Sequence, residues 1–311
     1  MVNVPEFFLS HRLPVAMAAQ RAGYEVHIAS SEGLAVQEIQ SYGFVHHVIP
    51  FARSGQKPLN ELATLACLIK LFRYAKPSLV HLITIKPVLY GGIAARLVGV
   101  KSIVCAVSGL GTVFLAHSIG ARLRRWLVTV LYRFSFKQKN LSVIFQNPDD
   151  CNTLLSLDAL KINQARIIRG SGVSLDEYPY NPEPDGVPIV VMAARLLKDK
   201  GVVEFVEAAK ILKERGVLVE MRLIGSPDLG NPTTINQAEL DKWIVEGNVD
   251  LLGYKEDINV QYSAANIVCL PSYREGLPKS LVEAAACGRA VVTTDVPGCR
   301  DAIIPNETGI T

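Results

Sequence analysis

The chain has 311 residues, 49% of them apolar and 20% charged, with a formal net charge of +3. That length predicts two domains, and the apolar content is ample for a buried core in each. No apolar run approaches the roughly 18 residues of a spanning helix, and the opening residues, with Glu6, His11 and Arg12, lack the apolar stretch of a secretory signal.

From the amino end, short apolar runs alternate with segments of helical period. Strands are predicted over 25–29, 45–50, 79–83, 102–107, 142–146 and 166–169, and helices over 10–22, 34–42, 59–74, 88–98, 121–137 and 148–155. This alternation predicts a parallel, doubly wound sheet. His46 and His47 are neighbours in a strand, so they point to opposite faces and cannot chelate jointly. His81 falls near a strand end, where it either lines a cleft or serves as a structural histidine. Between Glu61 and Asp149 there is no Asp or Glu, while the same stretch holds twelve Lys and Arg. Arg122, Arg124, Arg125, Arg133, Lys137 and Lys139 share one predicted helix with Leu123, Trp126, Leu127, Val130, Leu131, Phe134 and Phe136. Two readings stand: a face that meets an anionic membrane surface, or an ordinary helix with a solvated basic side. No interleaved aromatic stacking motif or zinc spacing points to nucleic acid. The segment 175–188 holds four prolines and Gly186, and it predicts a linker between domains 1–174 and 189–311.

The second half repeats the pattern, with strands over 189–192, 220–224, 249–252, 267–270 and 290–293. Two such domains predict a cleft lined by the loops at the strand ends. After the first of these strands come Arg195 and Lys200, then Gly201 and a helix over 202–215. In open α/β sheets ligands bind at such strand ends. After the fourth strand come Glu275, Gly276, Leu277 and Pro278, then a helix that carries Glu283. Free N–H groups at that helix start form an anion site, and Pro278 suits the first helical turn. Two cations on one turn, and N–H donors flanked by two carboxylates on another, suit a nucleoside diphosphate attached to a hydroxyl-rich group. No Asp-x-Asp sequence is present to hold a metal on a diphosphate. Six cysteines without C-x-x-C spacing read as free thiols of a reducing cytoplasm. Ser108-Gly-Leu-Gly-Thr112 and Gly91-Gly92 do not complete G-x-G-x-x-G after a strand, which argues against a nicotinamide dehydrogenase.

Glu275 and Glu283 with seven residues between them, Arg195, Lys200 before a glycine, and the run Gly170 to Val173 together resemble the retaining glycosyltransferases of family 4. The run Phe8 to Pro14 and the Ser108 to Gly111 loop resemble the bacterial subgroup that builds lipid-linked oligosaccharides. The resemblance spans nearly the whole chain. It implies the GT-B fold, two Rossmann-like domains facing across a cleft, with the acceptor on the first and a nucleotide-sugar on the second. It implies transfer of a sugar, an N-acetylhexosamine, from a UDP-sugar to an undecaprenyl-diphosphate-linked saccharide at the inner face of the plasma membrane. Glu275 would contact the donor sugar, Glu283 the ribose hydroxyls, and Tyr254 the base through its backbone. Arg195, Lys200, Gly276 and Leu277 would hold the diphosphate without a metal or other cofactor. Gly109 and Gly111 would face the acceptor, with His81 and Glu6 on the same side. Many family members place a His after the fourth strand. Here Val107, Ser108 and Gly109 stand there, so that role is not carried over. With no acid over 62–148, the sequence favours front-face transfer, and Glu6 is the one outside candidate for a nucleophile or base. Both ends are short against the family pattern, so a truncated member is expected. The alternatives are a nucleotide-sugar epimerase of the same architecture and an inactive remnant.

Overall fold

A computed structural model describes residues 1–51, 58–111 and 119–311. The chain divides into two compact units, Met1–Ser171 and Gly172–Thr311.

The first unit alternates helix and strand: α1 (Pro5–Arg21), β1 (His27–Ser30), α2 (Val36–Ser41), β2 (Val45–Val48), α3 (Pro58–Ala75), β3 (Leu79–Ile83), α4 (Gly92–Val98), β4 (Ser102–Val107), α5 (Ile119–Phe136), β5 (Leu141–Phe145), α6 (Pro148–Ser156) and β6 (Ala165–Ile167). β1 pairs with β2, and β3 to β6 pair in sequence order, all parallel. Residues 1–3 run between the two sets. The Val2 and Ser31 amides link this segment to β1 and its end, through Ala29 O and Asn3 O, both at 3.0 Å. On the other side the Ile83 amide donates to Met1 O at 3.1 Å. The order is therefore β2, β1, residues 1–3, β3, β4, β5, β6, a doubly wound arrangement in which residues 1–3 occupy a central place before Pro5 opens α1. Alternate residues of β3 to β5 enter two cores. Val80, Leu82, Ile103, Cys105, Val143 and Phe145 pack under α3 to α5, and Ile83 and Ala106 pack under α1 with Phe8 and Ile28. Burial on both faces explains why these strands read as continuous apolar runs.

The predicted helix over 88–98 divides into a π turn over Pro87–Gly91 and α4. The predicted helix over 10–22 begins instead at Pro5, because proline suits the first position and Glu6 complements the helix dipole there. Glu6 is consequently an exposed first-turn residue of α1 and not a loop residue.

The second unit contains β7 (Ile189–Ala193), α7 (Val202–Glu214), β8 (Glu220–Ile224), α8 (Gln237–Glu246), β9 (Asp250–Gly253), α9 (Ile258–Ser263), β10 (Ile267–Leu270), α10 (Lys279–Ala286), β11 (Ala290–Thr293) and β12 (Gly309–Ile310). Its parallel sheet has the order β9, β8, β7, β10, β11, β12. Val191, Met192, Phe205, Leu223, Trp243, Val268 and Leu281 belong to its core. The proline-rich segment expected as a linker lies in this unit, and Tyr178 from it is buried in the same core.

Candidate active site

The winding of the second sheet reverses between β7 and β10, and the loops leaving those two strands lie side by side at their carboxyl ends, where such sheets bind ligands. The β7 loop carries Arg195 to Lys200, and the β10 loop carries Ser272 to Pro278. Gly201 lets them meet. Its φ is +78°, and a Cβ there would lie 2.1 Å from the Pro271 carbonyl oxygen. Only glycine satisfies both the left-handed backbone and that approach. The Tyr273 amide and the Ser272 hydroxyl then bond Asp199 O at 3.0 and 3.1 Å.

This backbone lock places Lys200 against Glu275. Lys200 Nζ donates to Glu275 Oε1, and Ser272 Oγ donates to the same oxygen at 2.7 Å. The two charged side chains are 22% and 12% exposed, so their pairing is shielded from solvent. A third loop supports the arrangement from below. The Glu275 amide donates to Pro297 O at 3.1 Å, and Gly298, with φ +83°, is pressed against the Glu275 carbonyl. Gly276 is buried and Leu277 half-buried at the turn into α10. Pro278 caps α10 without a side-chain bond, and the first intrahelical donors are the amides of Leu281 and Val282. The amides of Lys279 and Ser280 therefore precede the helix ladder and point their partial positive charge out of its start.

Glu283 is buried one turn further on. Its Oε1 accepts from the Tyr178 hydroxyl at 2.8 Å and from Lys279 Nζ at 3.2 Å. Burial, with the adjacent Glu283 charge, raises the pKa of the Tyr178 hydroxyl and keeps it a donor. Arg195 pairs with Asp228 at 2.8 Å and is 60% exposed. Tyr254 is exposed immediately beyond β9.

The sequence-predicted residues of the first unit are more dispersed. Gly109 and Gly111 follow β4 with φ of +110° and +64°, with Leu110 buried between them; Thr112, the end of that loop, lies outside the described residues. His81 is not at a strand end but in the middle of β3, where burial first, then the charge of the Met1 amino group and that of Arg12, push its imidazole down to about 3. His46 and His47 do diverge: His46 bonds Ser30 and His47 bonds His27. On α5, Thr129, Tyr132 and Phe136 face inward, while Leu123, Trp126, Leu127, Val130 and Phe134 are exposed beside Arg122, Arg124 and Arg133; Arg125 is half-buried. Among the described residues, no helix is long and apolar enough to cross a membrane, and no three His, Cys, Asp or Glu converge to hold a metal ion.

Sequence reading missed Tyr178, Ser272 and Asp228. Tyr178 was hidden because its proline-rich surroundings read as a linker. Ser272 and Asp228 carry no signal apart from lying just beyond predicted strands.

Comparison with known proteins identifies the family and the fold. The model of the glycosyl transferases group 1 matches residues 177–311, and that of the glycosyl transferase 4-like family matches residues 1–147. The N,N′-diacetylbacillosaminyl-diphospho-undecaprenol α-1,3-N-acetylgalactosaminyltransferase of Campylobacter jejuni is 31% identical, over 95% of this chain and 82% of that protein. The UDP-Gal:α-D-GlcNAc-diphosphoundecaprenol α-1,3-galactosyltransferase of Escherichia coli is 26% identical, over 80% of this chain and 65% of that protein. Among solved structures, Anabaena HepE in complex with UDP superposes with a TM-score of 0.69 at 17% identity, over 95% of this chain and 80% of that one. The two units thus have the GT-B type of α/β fold.

Proposed function

The chain belongs to the glycosyltransferases of the group 1 and 4-like families, and from that premise we propose that it is a retaining enzyme moving an N-acetylhexosamine from a UDP-sugar to an undecaprenyl-diphosphate-linked saccharide. The observation that carries this reading is the Lys200–Glu275 pair at the switch point of the second sheet, beside the uncapped start of α10. The two relatives named above act, by name, on sugars linked to diphospho-undecaprenol, and this supports the acceptor class.

Breaking the anomeric C–O bond leaves negative charge on the departing diphosphate. Lys200 and Arg195 supply cations, and the N–H groups of Gly276, Leu277, Lys279 and Ser280 supply donors, so no metal is required. Charge-assisted bonds of this kind contribute about 1.5–3 kcal/mol each. Glu275, held in place by Lys200 and Ser272, faces the donor sugar and stabilises positive charge at the anomeric carbon. Glu283 has one oxygen occupied by Tyr178 and Lys279, and its other oxygen accepts from the ribose hydroxyls. Tyr254 contacts the base through its backbone. The acceptor binds the first unit near Gly109 and Gly111. Its hydroxyl attacks from the face the diphosphate leaves, and the proton passes to a diphosphate oxygen as the new glycosidic bond forms. Residues 62–148 hold no acid to form a covalent intermediate, and Glu6 remains the outside candidate for a base. The exposed basic and aromatic face of α5 holds the enzyme at an anionic membrane surface, the inner face of the plasma membrane.

The test is transfer from a panel of radiolabelled UDP-sugars to a lipid-diphosphate-sugar acceptor, with and without Glu275→Gln. Transfer that the variant loses supports the reading and identifies the donor. Absence of transfer by the intact chain while UDP still raises its melting temperature overturns it.

A further inference from the structure

Six side chains of the first unit bury a polar atom that meets no partner among the described residues: Asn3 Oδ1, Arg12 Nε, Ser31 Oγ, His81 Nε2, Thr84 Oγ1 and Ser108 Oγ. Buried polar groups are almost always bonded, so a cluster of exceptions calls for a physical cause. Their positions supply one. Ser31, Thr84 and Ser108 each follow the last residue of β1, β3 and β4, and Asn3 ends the extended segment between β1 and β3. All four therefore lie on the carboxyl edge of one sheet, around its own switch point.

Arg12 and His81 open on one cavity of about 300 Å³, lined also by Gln146 and Ser171 and by apolar Val15 and Ile144. Burial lowers the pKa of the Arg12 guanidinium, and among the described residues no carboxylate pairs with it. A guanidinium keeps its proton in proteins, so this cavity holds a desolvated cation with no counter-ion, an arrangement that is costly until an anion arrives. The apolar walls strengthen any charge that enters.

We propose that this cavity is an anion subsite that seats a phosphate group, with Arg12 donating charge-assisted bonds and the neutral His81 imidazole donating through Nε2. Resting on the transferase reading above, the phosphate is the diphosphate of the lipid-linked acceptor; a free phosphate is the other source of the same chemistry.

The test titrates inorganic pyrophosphate calorimetrically into the full chain with UDP saturating, so that the second unit's anion site is occupied. The wild-type chain binds, and Arg12→Gln weakens binding roughly 10- to 100-fold, with His81→Gln weakening it less. Without any anion, Arg12→Gln melts at the same temperature or roughly 2–4 °C higher, because it removes an unpaired buried charge. In the transfer assay the same variant raises the KM for the lipid-diphosphate acceptor and leaves the donor KM unchanged. Arg12-dependent pyrophosphate binding with an unchanged acceptor KM supports the subsite and assigns it to a free anion. Arg12-dependent binding by a chain that transfers no sugar supports the subsite and overturns the transferase reading alone. Equal pyrophosphate affinity in wild-type and a folded Arg12→Gln chain, judged by unchanged UDP binding, overturns the proposal. So does a lower melting temperature of the anion-free variant, which would make Arg12 a structural strut.

Discussion

Lys200→Met tests the centre of the candidate site, because methionine keeps most of the stem's packing and removes only the ammonium. Breaking a fully buried ion pair costs about 3–5 kcal/mol, and breaking an exposed one less than about 1 kcal/mol. Lys200 and Glu275 are 22% and 12% exposed, close to the buried limit. Ser272 still donates to Glu275 Oε1 in the variant and offsets part of the loss. The expected cost is about 2 kcal/mol, a fall of about 4–8 °C in the melting temperature of a unit this size. Glu275→Gln leaves Lys200 an amide oxygen to bond and costs about 1 kcal/mol. The double variant removes both charges, so urea denaturation of the four chains should give a coupling energy of about 1–2 kcal/mol. In the transfer assay Lys200→Met should lower kcat roughly 10²–10³-fold, as loss of a preorganised charge stabiliser does elsewhere. A coupling below about 0.3 kcal/mol, with kcat changed only a few-fold, would refute the argument, since the pair would then be neither structurally nor electrostatically engaged.

Tyr178→Phe removes a neutral donor from a buried carboxylate and should destabilise the second unit by about 1.5–3 kcal/mol in urea, with weaker UDP binding measured in parallel. Gly201→Ala puts a Cβ 2.1 Å from the Pro271 carbonyl at a positive φ, so more than about 3 kcal/mol is expected, read as loss of soluble protein or of the cooperative melt. Combining Arg122→Glu, Arg124→Glu and Trp126→Ala should reduce cosedimentation with phosphatidylserine vesicles roughly 10- to 100-fold and leave neutral vesicles unaffected, since each basic residue contributes about 1 kcal/mol at an anionic surface. His81, with a folded value of about 3 against 6.5 unperturbed, refuses a proton that the unfolded chain accepts between those limits. Stability from this group is complete above pH 6.5 and falls as pH drops towards 3. Its ring resonances should stay those of neutral imidazole down to about pH 4, and His81→Asn should flatten the acid limb of the melting curve.

The alternation of apolar runs and helical periods was sufficient to read two parallel α/β halves, because strands buried on both faces leave an uninterrupted apolar signature. β3, β4, β8, β10 and β11 fall where the periodicity puts them. The residues of the β7 and β10 loops were also legible as candidates, since the chemistry of a diphosphate demands cations and free N–H groups at strand ends, and few stretches offer both. Sequence could not show which candidates meet. That depended on strand order: β7 and β10 lie 78 residues apart along the chain from Ile189 to Ile267 and become neighbours only when the sheet winds outward from its centre. Tertiary packing alone brings Lys200 to Glu275 while directing Arg195 to Asp228. It also draws Tyr178 out of an apparent linker onto Glu283, and it encloses Arg12, which along the sequence is only one of the polar residues near the amino end. Periodicity is a property of neighbours in the chain; desolvation and pairing are properties of neighbours in space.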